Sequence, residues 1–99
     1  MEQVAQTILN QLGGYSRLNA MVGLKNVIAR DNGLSFKIKV RGTKANYVKI
    51  TLNSLDLYDL EIGKVIGAKK YTVKYTSSNI YFDMLKPIIE EHIGCYLSI

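Results

Sequence analysis

The chain is poor in the residues that lock small proteins together. It holds one cysteine, Cys95, so no internal disulfide can form. That excludes the framework of a small secreted domain and points to a reducing, cytosolic home. It also holds one histidine, His92, three positions before the cysteine. Two soft ligands fall short of the four N/S donors that a structural zinc site takes. Their plainer uses are a flank to a helix C-terminus for His92 and a small buried apolar group for Cys95. There is one proline, Pro87, and no tryptophan. Proline this scarce rules out collagen and proline-rich spacer. No apolar run approaches the roughly 20 residues with which a helix crosses a bilayer. The start, Met1-Glu2-Gln3, lacks the basic and apolar segments of a signal peptide. No membrane partner is expected.

Catalytic signatures are missing as well. There is no phosphate-loop, dinucleotide, zinc-protease, nucleophile-elbow or CxxC pattern. Gly63 and Gly67 flank Lys64-Val65-Ile66 without the Lys-Ser/Thr of a phosphate cradle, and they read as turn glycines. Asp56, Asp59 and Glu61 are near neighbours, but the spacing is not that of a calcium loop. Asn53 or Ser54 as a local turn residue is the simpler reading of that loop. No nucleophile, base and orienting group can be assembled. The expectation is a protein that is not an enzyme, with no catalytic residue, no cofactor and no metal.

What is present is the material of one core. With 47% hydrophobic and 21% charged residues over 99 positions, the chain reads as a single α+β domain spanning 1–99. Val4, Ile8, Leu9 and Leu12 form one apolar stripe, predicting a helix over 2–12 that Gly13-Gly14 stops. Ser16 is a candidate N-cap for a short second helix carrying Leu18, Met21 and Val22 and ending at Gly23. The middle alternates with period two. Leu34, Phe36, Ile38 and Val40 oppose Ser35, Lys37, Lys39 and Arg41; Val48, Ile50 and Leu52 oppose Tyr47, Lys49 and Thr51. Tyr58, Leu60 and Ile62 oppose Asp59 and Glu61; Tyr71, Val73 and Tyr75 oppose Lys70, Thr72, Lys74 and Thr76. Clean alternation favours antiparallel strands with one wet face.

Asp31-Asn32-Gly33 is the strongest turn signal. With Asn32-Gly33 as a two-residue loop, Ala29 pairs with Phe36 and Val27 with Ile38, leaving Ile28 outside near Lys37. A longer loop would turn Ile28 inward, so the register stays open. Helical spacing returns over 79–93, with Phe82, Leu85, Ile89 and Ile93 in one stripe. Pro87 requires either a kink or a start near Asp83. Residues 95–99 read as a short edge strand. The architecture expected is two layers: a mostly antiparallel sheet of four or five strands with N-terminal and C-terminal helices on one face.

The formal charge is +5, from 13 basic and 8 acidic residues, and it is unevenly spread. Residues 31–50 carry +4 (Lys37, Lys39, Arg41, Lys44 and Lys49 against Asp31), residues 51–63 carry −3, and residues 64–80 carry +4. Alternation assigns Lys37, Lys39, Arg41, Lys49 and Lys74 to the uncovered sheet face, with Tyr47 and Thr72 among them. Cations neutralise phosphates and a tyrosine can stack on a base, so this set is a candidate nucleic-acid platform. The ordinary alternative is a solvated face whose lysines keep the sheet soluble, partly cancelled by Asp59 and Glu61. It also shows one aromatic where RNA-binding sheets carry two or three. Of the seven tyrosines, Tyr58, Tyr71 and Tyr75 fall on the predicted core side.

The segments Gln11-Leu12-Gly13-Gly14, Leu18-Asn19-Ala20-Met21-Val22-Gly23-Leu24-Lys25-Asn26, Leu34-Ser35-Phe36-Lys37, Lys44 to Asn53 with Asp56-Leu57-Tyr58-Asp59, and Gly94-Cys95-Tyr96-Leu97-Ser98-Ile99 together resemble small uncharacterised proteins encoded by bacteriophages, prophages and other mobile elements of bacteria. The resemblance implies the cytoplasm of a bacterial host and carries over no catalytic residue. The leading expectation is an accessory binding protein acting through protein–protein interaction or self-association. The second is nucleic-acid binding through the basic sheet face.

Overall fold

Alternating apolar residues draw the middle of the chain into a five-stranded antiparallel sheet in which sequence neighbours are also spatial neighbours. The strands are β1 (Leu24–Arg30), β2 (Gly33–Ile38), β3 (Tyr47–Leu52), β4 (Tyr58–Ile66) and β5 (Lys70–Ile80), in the order β1-β2-β3-β4-β5. Helices α1 (Gln3–Gln11) and α2 (Tyr15–Val22) precede them, and α3 (Leu85–Ile93) follows after a 3-10 turn at Phe82–Met84. The computed structural model describes residues 3–30, 32–38, 45–66 and 70–93, with the backbone alone for Met21 and Val22. The expected roles of Lys39, Arg41, Gly67, Gly94, Cys95 and the 95–99 tail lie outside the described residues.

The helices cover one face of the sheet. Ala5, Ile8 and Leu9 of α1 and Leu85, Ile89 and Ile93 of α3 are buried in one cluster with Leu34, Phe36, Ile38, Val48, Ile50, Leu60 and Ile62. This is the α+β, two-layer arrangement that the two apolar periodicities required. Gly13 (φ 114°) and Gly14 (φ 92°) stop α1, and the Gly14 N–H donates to the Leu9 carbonyl at 2.8 Å. Gly14 itself stands at the cap position of α2, so Ser16 lies within the first turn and caps nothing. The two glycines pass the chain from one helix to the next with no residue left over for a serine cap. Gly23 (φ 69°) ends α2, and the Asn19 side chain accepts from the Leu24 N–H at 2.9 Å, tying the helix to β1.

The first hairpin closes one residue earlier than an Asn32-Gly33 loop would. Arg30 pairs with Gly33, Ala29 with Leu34 and Ile28 with Ser35. Gly33 is spent in the strand instead of the turn, because a Cβ there would collide with the Ile50 carbonyl of β3. Ile28 faces outward, half exposed, opposite Ser35 and not Lys37.

Three irregularities break the predicted alternation. The β1–β2 register shifts between Lys25 and Ile28, where Asn26 has φ 53°. The β4–β5 register shifts where Ile62 meets Tyr75 while Gly63 meets Val73, and again where Asn79 (φ 58°) is inserted between Ser77 and Ile80. Each is a β-bulge, which reverses side-chain facing beyond it. The C-terminal helix is shorter than the 79–93 stripe: Asn79 and Ile80 belong to β5, and Phe82 is 62% exposed and outside the stripe. Pro87 is the third residue of α3, within the first turn, where its missing N–H costs no bond.

Candidate functional site

The face opposite the helices is open, and cross-strand pairing fixes what it carries. Lys37 of β2 lies between Lys25 of β1 and Tyr47 of β3. Lys49 of β3 lies between Ser35 and Glu61 of β4, and Thr51 lies opposite Asp59. Ser35 is fully buried although polar; its hydroxyl accepts from Arg30 Nε at 3.2 Å, so the guanidinium is held across this face. Lys25, Arg30, Lys37 and Lys49 therefore share the β1–β3 half of the sheet. Asp59 and Glu61 share β4.

Two shallow hollows meet along the Lys49–Glu61 row. One, of about 270 Å³, is lined by Lys49, Thr51, Asp59, Glu61, Thr76 and Ser78 among others. The second, of about 220 Å³, is lined by Lys37, Tyr47, Lys49, Glu61, Val65 and Tyr71. Alternation predicts Tyr71 on the core side. The bulge between Val73 and Tyr75 corrects that: Tyr75 faces the helices and stacks on His92 at 3.7 Å between ring centres, while Tyr71 turns to the open face. There its ring meets Tyr47 edge-on, 5.3 Å between centres at 79°. Tyr71 rests over Gly63, where a Cβ would overlap its ring. Gly63 is thus a mid-strand residue that makes room for an aromatic, not a turn glycine.

The Tyr71 hydroxyl donates to Glu61 Oε2 at 2.8 Å. Burial, this hydrogen bond and the negative charge of Glu61 push the phenol above the usual tyrosine range, so the donor stays protonated. Asp59 is engaged from the other side. It accepts from Asn53 Nδ2 at 3.0 Å and from the Asn79 N–H at 3.3 Å. Asn53 also accepts from the Leu55 and Leu57 N–H groups at 2.9 and 3.2 Å, which makes it the turn residue of the β3–β4 loop. Among the described residues, no group of three His, Cys, Asp or Glu side chains gathers around a metal position.

Of the six residues singled out from the sequence, Lys37, Tyr47 and Lys49 come together. Lys74 is exposed at the β5 bulge and lines neither hollow. Thr72, expected on the open face, pairs with Lys64 in the helix-side register. Lys39 and Arg41 lie outside the described residues. Three residues were missed: Lys25, Arg30 and Tyr71. The signals for them were Asn26 and Gly63, residues out of place in a strand unless a bulge or a close approach needs them. His92 does flank the end of α3, its Nδ1 bonded to the Ile88 carbonyl at 2.9 Å. Among the described residues no helix is long and apolar enough to cross a membrane. No protein-family model matches the chain, and neither a curated protein nor a solved structure matches it.

Proposed function

We propose that this protein is a non-catalytic nucleic-acid-binding module whose open sheet face takes the sugar–phosphate backbone. The observation that carries this reading is Lys25 set directly opposite Lys37, with Arg30 and Lys49 on the same face and Tyr47 and Tyr71 beside them. Like charges directly opposite across a strand pair destabilise a sheet. An anion laid over them removes that repulsion, and phosphates are the anions that repeat along a groove. Paired tyrosines next to the cations add a surface for bases. The acids do not cancel the field evenly, because both sit on β4 while the four cations sit on β1 to β3. The proposed working compartment is the cytoplasm of a bacterial host, which is what the resemblance to proteins of bacteriophages and other mobile elements implies.

The test is fluorescence anisotropy with labelled single-stranded and double-stranded DNA and RNA across a salt series. Binding should weaken steeply with salt, and each phosphate-contacting lysine removed should lower the log–log slope by about one. Lys25→Ala with Lys37→Ala should weaken every strand alike. Absence of binding to all of them at about 50 mM salt sinks the proposal.

A second reading, protein–protein contact, has its own observation. Tyr81, Phe82 and Met84 stand exposed together ahead of α3. Tyrosine, phenylalanine and methionine are enriched in interface cores. Light scattering on the purified chain tests self-association, and Phe82→Ser should abolish any dimer found.

A further inference from the structure

We infer that the smaller hollow is a base-reading subsite for single-stranded nucleic acid that favours guanine. This rests on the nucleic-acid reading above and adds to it a strand type and a base. A carboxylate bordering a row of cations weakens backbone binding there, so Glu61, directly opposite Lys49, calls for an explanation of its own. Glu61 is not left to move freely: Tyr71 donates to its Oε2, and Tyr71 is seated over Gly63. A carboxylate has about four acceptor sites, and the tyrosine uses one. What remains is an oriented acceptor that can receive only N–H or O–H donors. Directly across the strand pair stands Lys49, a cationic donor, and Lys37 lines the same hollow.

An acceptor pair beside a cationic donor is the complement of one base edge. Guanine presents two adjacent N–H donors, N1 and N2, followed by the O6 acceptor, on its Watson–Crick side. Thymine and uracil offer one N–H flanked by two carbonyls. Adenine and cytosine each place a ring-nitrogen acceptor beside their amino group, where it would face the carboxylate. That edge is free only when the base is unpaired, which excludes a duplex as the ligand. A hollow of about 220 Å³, flanked by Tyr47 and the 41% exposed Tyr71, admits one planar base.

The test uses labelled oligothymidylate strands, one all-thymidine and others with a single central guanine, inosine or adenine. The guanine strand should bind about fivefold tighter or more than the all-thymidine strand. Inosine, which lacks the N2 amino group, should fall between them. Glu61→Gln should erase the preference while binding of the all-thymidine strand holds or strengthens, which also reports that the variant is folded. Lys25→Ala, away from the hollow, should weaken all strands and leave the preference intact. Equal affinity for guanine and thymidine strands, a preference that survives Glu61→Gln, or tighter binding of duplex overturns the inference and leaves backbone binding standing. Failure to bind any strand removes both.

Discussion

Gly63 decides the character of the open face by what it lacks. Without a Cβ it lets the Tyr71 ring lie on the sheet, and the ring then brings its hydroxyl to Glu61. Gly63→Ala should displace Tyr71 without unfolding the protein. The ring is partly exposed and can swing out, so stability should stay within about 1 kcal/mol of the parent. The displacement is measurable by alkaline titration. In the folded chain the Tyr71 phenol holds its proton more tightly than in the unfolded chain. Its contribution to stability is therefore complete below about pH 10 and declines as pH rises beyond that value. An ultraviolet titration should show one tyrosine ionising late, and both Tyr71→Phe and Gly63→Ala should abolish that late step. A late step that persists in Tyr71→Phe assigns it to another tyrosine.

The bulges act at the level of the strand. Asn26, at φ 53°, inserts one residue into β1 and so turns Lys25 from the side of Val27 and Ala29 to the side of Lys37. A strand without that bulge would have carried Lys25 to the helix side and the buried Leu24 to the open face. Lys25→Glu replaces a repulsive cross-strand pair with an attractive one. It should raise stability in the absence of ligand by about 0.2–1 kcal/mol, an effect that fades with salt. The same variant should bind nucleic acid more weakly than the parent. Denaturant melts paired with anisotropy check both halves, and a variant that is stabilised with undiminished binding removes Lys25 from the interface. The long edge strand β5 carries two shifts and the lysines Lys70 and Lys74, devices that discourage pairing with another sheet.

In the molecule as a whole, one core supports everything else. Phe36, fully buried on β2, belongs to the core cluster shared with α1 and α3. Phe36→Ala should cost about 3–5 kcal/mol, a large share of the roughly 5–15 kcal/mol that holds a domain folded. A melt that shifts by much less shows that α1 and α3 can close over the cavity. The layers, a sheet of four or five strands, the helix stop at Gly13 and Gly14 and the placement of Lys37, Tyr47 and Lys49 were legible in the sequence, because periods of 3.6 and 2 are local properties of the chain. Ser16 as a cap, Phe82 in the stripe, and Tyr71 on the core side were misread. Each depends on what a neighbouring element demands: a glycine pair between helices, a strand that continues to Ile80, a bulge opposite Gly63. The sequence by itself determined that one sheet face must meet water and that the periodic apolar residues of α1, β2, β3 and β4 belong to the core behind it. Only the tertiary structure decided which charges and aromatics share that face, because a single inserted residue in a strand exchanges its two sides, and where the insertion falls is settled by the strand next door.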